Sequence, residues 1–198
     1  FVVQRPDRFN KNAITEYFGL GKRVGYMPIG DDKIYIYILL DADKYDKNNP
    51  FSTPELLKRF DFGGEWQTLS SAVTDESKSV FNEIKDLSKI CITKGRVVLI
   101  GDAAHAITPN MGQGAAMGLE DADVLGEIFA AEKSVEKALS MFEKRRYKRV
   151  KEIRDKSYIM GKMAQLSSKT AGLLRNALFR AVPPRMMSED TLKTLSKW

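Results

Sequence analysis

The sequence holds a single cysteine, Cys91, and a single histidine, His105. One thiol excludes an intrachain disulfide and leads us to expect a reducing, cytoplasmic compartment. One His and one Cys also exclude a Cys/His zinc centre, so no metal is expected. Cys91 lies beside an apolar run and reads as a buried structural thiol. No apolar run reaches the ~18 residues that a membrane-spanning helix needs. Acid is in deficit: 32 Lys and Arg stand against 26 Asp and Glu, a net charge of +6. That balance reads as a lysine-rich solvated surface, or as attraction to an anionic partner. The basic residues are densest from Lys144-Arg145-Arg146 to Lys151, without the interleaved aromatics of an RNA-binding motif, so no nucleic acid is expected. A strand-coupled G-x-G-x-x-G turn is missing too. The run Gly19-Leu20-Gly21-Lys22-Arg23-Val24-Gly25 has the wrong glycine spacing, and the segment after it reads as strand. The opening Phe1-Val2-Val3-Gln4-Arg5-Pro6 reads as if cut from something longer, so a piece of a larger protein is expected.

What is present suits a folded domain. Hydrophobic residues make up 43% and charged residues 29% of 198, enough for a sizeable core. Residues 23–29 and 33–40 read as two strands of an antiparallel hairpin, joined by Gly30-Asp31-Asp32. Ile34, Ile36, Ile38 and Leu40 share one face of the second strand; Tyr35, Tyr37 and Leu39 share the other. Both faces are apolar enough to expect cover on each. Thr53-Pro54-Glu55 reads as a helix start capped by Thr53, running to about Phe60 and stopping before Gly63-Gly64. A short helix over 66–72 and an extended stretch over 80–87 follow. Residues 97–100 read as a buried strand, 103–111 as a loop, and Gly112-Gln113-Gly114 as the opening of a helix. Ala115, Leu119, Ala122, Leu125 and Phe129 mark that helix's apolar stripe. Helices over 134–166 and 171–182 come next; Pro183-Pro184 stops the second, and Ser188 caps a last short one. The expected fold class is α+β or α/β. A mixed β-sheet region spans 1–92, a strand-loop-helix 93–132, and a helical region 133–198.

The strand-loop-helix carries the chemistry. Asp102, at a strand end, is an acceptor for hydroxyl donors. Gly101 lets a backbone or ligand come close. Gly112 and Gly114 stand at a helix N-terminus, whose free amides and positive dipole end favour negative charge. Together they suit a polyhydroxylated cofactor that becomes negative during turnover. The same residues also suit a strand-to-helix connection whose glycines serve tight packing.

Gly101-Asp102-Ala103-Ala104-His105, then Pro109, Gly112-Gln113-Gly114-Ala115 and Gly118-Leu119-Glu120-Asp121-Ala122, within residues 95–125, resemble the second flavin-binding motif of the para-hydroxybenzoate hydroxylase family. Ala138-Leu139-Ser140-Met141-Phe142-Glu143-Lys144-Arg145-Arg146 resembles a helix of that family. The resemblance is strongest over 95–160 and covers only the family's second half. It implies FAD as cofactor, with the missing N-terminal half holding the ADP part. It implies Asp102 against the ribityl hydroxyls and Pro109 beside the isoalloxazine ring. Gly112, Gln113, Gly114 and Ala115 would face the ring's pyrimidine side, and His105 would be structural. Tyr35 and Tyr37 would line the substrate pocket, or serve as ordinary strand residues. NAD(P)H would reduce the flavin, and a flavin hydroperoxide would hydroxylate or epoxidise a small apolar or aromatic substrate. This chain alone would be inactive. Two alternatives stay open. One is a reductase or halogenase on the same scaffold. The other is a non-catalytic basic module, with Leu173, Leu174, Leu178 and Phe179 beside Arg175 and Arg180 docking on a membrane or protein. Packing of that leucine stripe against the sheet region is the plainer expectation.

Overall fold

A computed structural model describes residues 1–7, 9, 12–41, 44–45, 52–73 and 79–182. Pro183-Pro184 and Ser188 lie outside the described residues. The chain divides into two compact units, Phe1–Asn82 with Ala164–Phe179, and Glu83–Met163 with Arg180–Trp198.

The first unit is built on four strands: β1 (Val2–Gln4), β2 (Thr15–Phe18), β3 (Lys22–Ile29) and β4 (Lys33–Leu40). They lie in the order β1-β4-β3-β2, with every pairing antiparallel, so this sheet is antiparallel rather than mixed. The β3–β4 hairpin forms where the alternation of β-branched and aromatic residues predicts it, with Tyr26 opposite Ile36. Pro28 is tolerated because β2 pairs with β3 only as far as Tyr26, leaving its missing N–H beyond the ladder. Ile34 and Ile36 are buried, and with Val24 and Tyr26 they meet Phe60, Trp66 and Leu69. The opposite face is less covered than expected: Tyr35 is 40% exposed, and Tyr37 and Leu39 are half-buried.

Two short helices carry the far side of this core, α1 (Thr53–Lys58) and α2 (Gly64–Ser71). The cap of α1 is Ser52, not Thr53. Glu55 accepts from both the Ser52 amide and the Ser52 hydroxyl, each at 3.0 Å, which sets the first turn one residue earlier. The helix ends at Lys58 rather than near Phe60, whose ring is needed in the core. The indole of Trp66 donates to the Phe60 carbonyl, tying α2 to that turn.

In the second unit the run expected to be a buried strand is short and open. Only Val97–Val98 pair, as β6, with β5 (Thr93–Lys94). Val97 is 59% exposed and Ile100 41%. A strand is buried on both faces only when layers flank it, and here a single two-residue ladder is its partner among the described residues. Residues 80–87 form no strand, and Cys91 is only partly buried. After β6 come α3 (Asp102–His105), a 3₁₀ turn (Pro109–Met111), α4 (Gly114–Ala131) and α5 (Val135–Ala164). Ile90, Ile92, Met117, Val124, Ile128, Ala138, Phe142, Val150 and Ile153 close this core.

The last helix, α6 (Lys169–Ala181), returns to the first unit. It is not the leucine stripe that seats it. Leu173 and Leu174 are more than two-thirds exposed, while Gly172 and Arg175 are buried. The Arg175 guanidinium donates to the carbonyls of Ala164 (3.0 Å) and Gly19 (3.3 Å), and Phe179 meets Phe18 edge-on at 5.7 Å.

Candidate functional site

The loop leaving β6 turns into α3 at Gly101, with φ +57°, a left-handed conformation that strains any residue with a Cβ. A Cβ added to Gly118 would stand 3.6 Å from the Gly101 Cα, an ordinary van der Waals distance, so the loop lies against α4 here. Gly114, the first residue of α4, is one helical turn before Gly118, about 6 Å along the axis. Asp102, the first residue of α3, is exposed. Residues 103–111, expected as a loop, include the single turn of α3 and the 3₁₀ turn.

Pro109 is exposed at the head of the 3₁₀ turn, and Gly112 closes that turn with φ +65° and its amide donating to the Pro109 carbonyl at 2.9 Å. The first intrahelical bond of α4 runs from the Met117 amide to the Gln113 carbonyl, 2.9 Å. The amides of Gly114, Ala115 and Ala116 precede it and lie at the positive end of an 18-residue helix. The first turn carries no acidic residue. Nothing lies within 4 Å of where a Cβ would stand on Gly112 or Gly114, and Ala115 is exposed. Gln113 turns its side-chain amide to the Met111 carbonyl at 3.4 Å. The segment thus carries a solvent-facing carboxylate at the start of α3 and an open, donor-rich end of α4. Both requirements of a hydroxylated, transiently anionic ligand are met by residues that stand free to reach one.

Behind this surface lies a buried ionic cluster. Asp121 on α4 accepts three donors: the Gly101 amide at 2.8 Å, His105 Nε2 at 2.7 Å and Arg146 Nε at 2.7 Å. Its neighbour Glu120 accepts from Arg146 Nη1 at 2.7 Å and Arg149 Nη2 at 2.9 Å. All five side chains are under 10% exposed. Two carboxylates face two guanidiniums, and His105 donates to Asp121 through Nε2. Burial pushes the Asp121 and Glu120 carboxyls up. The hydrogen bonds from His105, Gly101 and Arg146 to Asp121, and from Arg149 and Arg146 to Glu120, outweigh it. Both carboxyls end below their ordinary values.

The cluster escaped the sequence reading because it occupies the buried stripe of α4. That stripe is Met117, Glu120, Asp121, Val124 and Ile128. The expected stripe lies elsewhere: Leu119 is 74% and Phe129 42% exposed, and Leu125 is half-buried. Two acids at the centre of a helix normally face water. The usable signal was Arg146 and Arg149, three apart on α5 and matched in charge to Glu120 and Asp121.

Tyr35 and Tyr37 lie in the other unit, on β4, with ring centroids 6.0 Å apart. The Tyr37 hydroxyl donates to Glu16, and burial together with that bond pushes the phenol's pKa up. The Tyr37 ring lies over Gly25, where a Cβ would collide with it.

The chain matches the FAD binding domain family over residues 6–157. It is 38% identical over 172 residues to 2-heptyl-3-hydroxy-4(1H)-quinolone synthase of Pseudomonas aeruginosa, covering 85% of this chain and 45% of that protein. It is 32% identical over 192 residues to aurachin C monooxygenase/isomerase of Stigmatella aurantiaca, covering 96% of this chain and 48% of that one. Its fold is that of Klebsiella pneumoniae HpxO, solved complexed with FAD and uric acid: TM-score 0.81, 24% identity, 98% of this chain and 50% of the other. The chain spans about half the length of the curated relatives it matches. With the family matched across most of its length, this chain belongs to the FAD binding domain family.

Proposed function

We propose that this chain supplies the flavin-ring end of the FAD site in an NAD(P)H-using monooxygenase, which hydroxylates or epoxidises a small, apolar or aromatic molecule. Asp102 accepts hydrogen bonds from the ribityl hydroxyls. Pro109 borders the isoalloxazine ring. The amides at Gly112, Gln113, Gly114 and Ala115 meet its pyrimidine side, where the positive end of α4 stabilises the negative charge of the reduced ring. FAD, reduced by NAD(P)H, supplies the oxygen-activating chemistry. The residues of this chain bind, orient and electrostatically favour it. The ADP end of the cofactor is assigned to protein outside this sequence, because no dinucleotide-binding glycine turn occurs here. Tyr35 and Tyr37 are assigned to the substrate side. One observation carries the reading: an exposed Asp102 follows Gly101, which lies against Gly118 one turn into α4, a helix whose N-terminus is open and acid-free.

Titration of the intact protein with FAD, followed by flavin absorbance and fluorescence, tests it. Asp102→Ala is expected to weaken FAD about 10- to 100-fold, the loss of charge-assisted hydrogen bonds. Unchanged affinity would remove Asp102 from the site, and an intact protein without flavin affinity would end the reading. Product analysis with oxygen and NAD(P)H separates oxygen insertion from a reductase or halogenase. A second reading, a basic module that docks on an anionic membrane, has a specific observation in its favour. Leu173, Leu174 and Leu178 are exposed on α6, which carries Lys169 and Arg180 and no acid. Salt-sensitive co-sedimentation with anionic liposomes would support it, and none would dismiss it.

A further inference from the structure

The loop that carries Pro109 is fastened to α5 by residues outside the flavin motif. Ser157, on α5, is fully buried. Its hydroxyl donates to the Thr108 carbonyl at 2.6 Å and lies 2.9 Å from the Thr108 hydroxyl. On the other side of Pro109, Asn110 Nδ2 donates to the Ser157 carbonyl and to the Thr108 hydroxyl, each at 3.0 Å. The residues flanking Pro109 are therefore both bound to one residue of α5, 47 and 49 positions along the chain. One turn further on, Gly161 leaves the space that Asn110 occupies. A Cβ there would stand 2.4 Å from Asn110 Nδ2, closer than any real contact. Gly161 sits inside a 30-residue helix, where glycine costs about 1 kcal/mol relative to alanine. The close approach of Asn110 gives this position a reason to be glycine.

We propose that Ser157 and Gly161 form a clamp that holds the 108–110 loop at a set distance from the flavin ring, with Ser157 a positioning residue acting through Thr108 and Asn110. The proposal rests on the assignment of Pro109 to the ring side of FAD. A loop bonded at both shoulders adds to the one bond Pro109 itself makes, its carbonyl accepting from the Gly112 amide. Pro109 has no N–H with which to fasten itself. Ser157 never touches the cofactor in this arrangement, so its effect is on ring geometry rather than on binding of the ADP end.

The test uses the intact protein, with Ser157→Ala, Gly161→Ala and the milder Asn110→Asp. Amide hydrogen exchange is followed with and without FAD, and the visible spectrum of bound FAD is recorded. Ser157→Ala and Gly161→Ala are expected to speed exchange about tenfold at residues 106–113, and to leave residues 117–128 of α4 protected. Both are expected to shift the visible band of bound FAD while its affinity changes less than about threefold. Asn110→Asp, which loses the Nδ2 donor and keeps its shape, is expected to follow them. Unchanged exchange at 106–113 overturns the clamp. Faster exchange with an unaltered flavin spectrum overturns its positioning role. Loss of α4 protection would mark a general folding defect, and the proposal would then fall unless Asn110→Asp loosens the loop alone. Wild-type protein that binds no FAD sinks the flavin assignment, and the positioning role with it. The exchange data would still report the clamp separately.

Discussion

Arg146 lies between two carboxylates, with Nε on Asp121, Nη1 on Glu120 and Nη2 on the Met117 carbonyl. Its relative exposure is 2%, so solvent cannot replace it. Such a cluster contributes little net stability when complete, because desolvation offsets most of the attraction. Removing one member leaves uncompensated buried charge. Arg146→Ala is therefore expected to destabilise the protein by about 3–5 kcal/mol, read as a lower midpoint in urea unfolding at neutral pH. A loss under about 1 kcal/mol would show that water or Arg149 takes over its role. Asp121 also holds the Gly101 amide, so this variant should disturb the Asp102 loop before it disturbs the far end of α5. At this scale the sequence was partly legible. Gly101 and Gly112 announce themselves, since left-handed backbone favours glycine. Asp121, Ser157 and Gly161 do not, because their value comes from partners at least 16 positions away.

Among the elements, α6 shows how a helix can be seated by its least apolar residue. The buried Arg175 guanidinium reaches carbonyls at Phe18, Gly19 and Ala164, and burial lowers its pKa from the ordinary value. The Gly21 amide adds a bond to the Leu166 carbonyl at 2.9 Å just before the helix. Arg175→Ala is expected to strip α6 of protection in amide exchange while the β3–β4 hairpin keeps its own. A hairpin that opens together with α6 would make the helix part of the sheet core, and equal protection in both proteins would give the seat to Gly172 and Phe179. The hairpin, α4, α5 and α6 were readable because long periodic segments and strong turn residues speak locally. The strand at 97–100 was not, because burial of an apolar run depends on layers that other segments must bring.

The whole molecule is basic, and acid makes it more so. Glu120 and Asp121 have carboxyls held below their unfolded values, so they bind fewer protons folded than unfolded. Their contribution is fully present above the ordinary carboxylate range, about pH 4. It is lost as pH falls through that value towards the lowered folded ones. A charge of +6 at pH 7 rises over the same interval and adds self-repulsion. Thermal unfolding should therefore show a plateau from about pH 5 to 8 and a steep fall below about pH 4. Stability unchanged down to pH 3 would contradict the ionic cluster. By itself the sequence determined an α+β or α/β class, the helices and hairpin, and membership of a flavin-binding family, because periodicity and a long contiguous motif are local properties of the chain. Only the tertiary structure decided which face of α4 is buried, that Glu120 and Asp121 are core residues, and that α5 grips the loop around Pro109. Burial and hydrogen bonding join residues far apart in sequence, and no local pattern carries the identity of a distant partner.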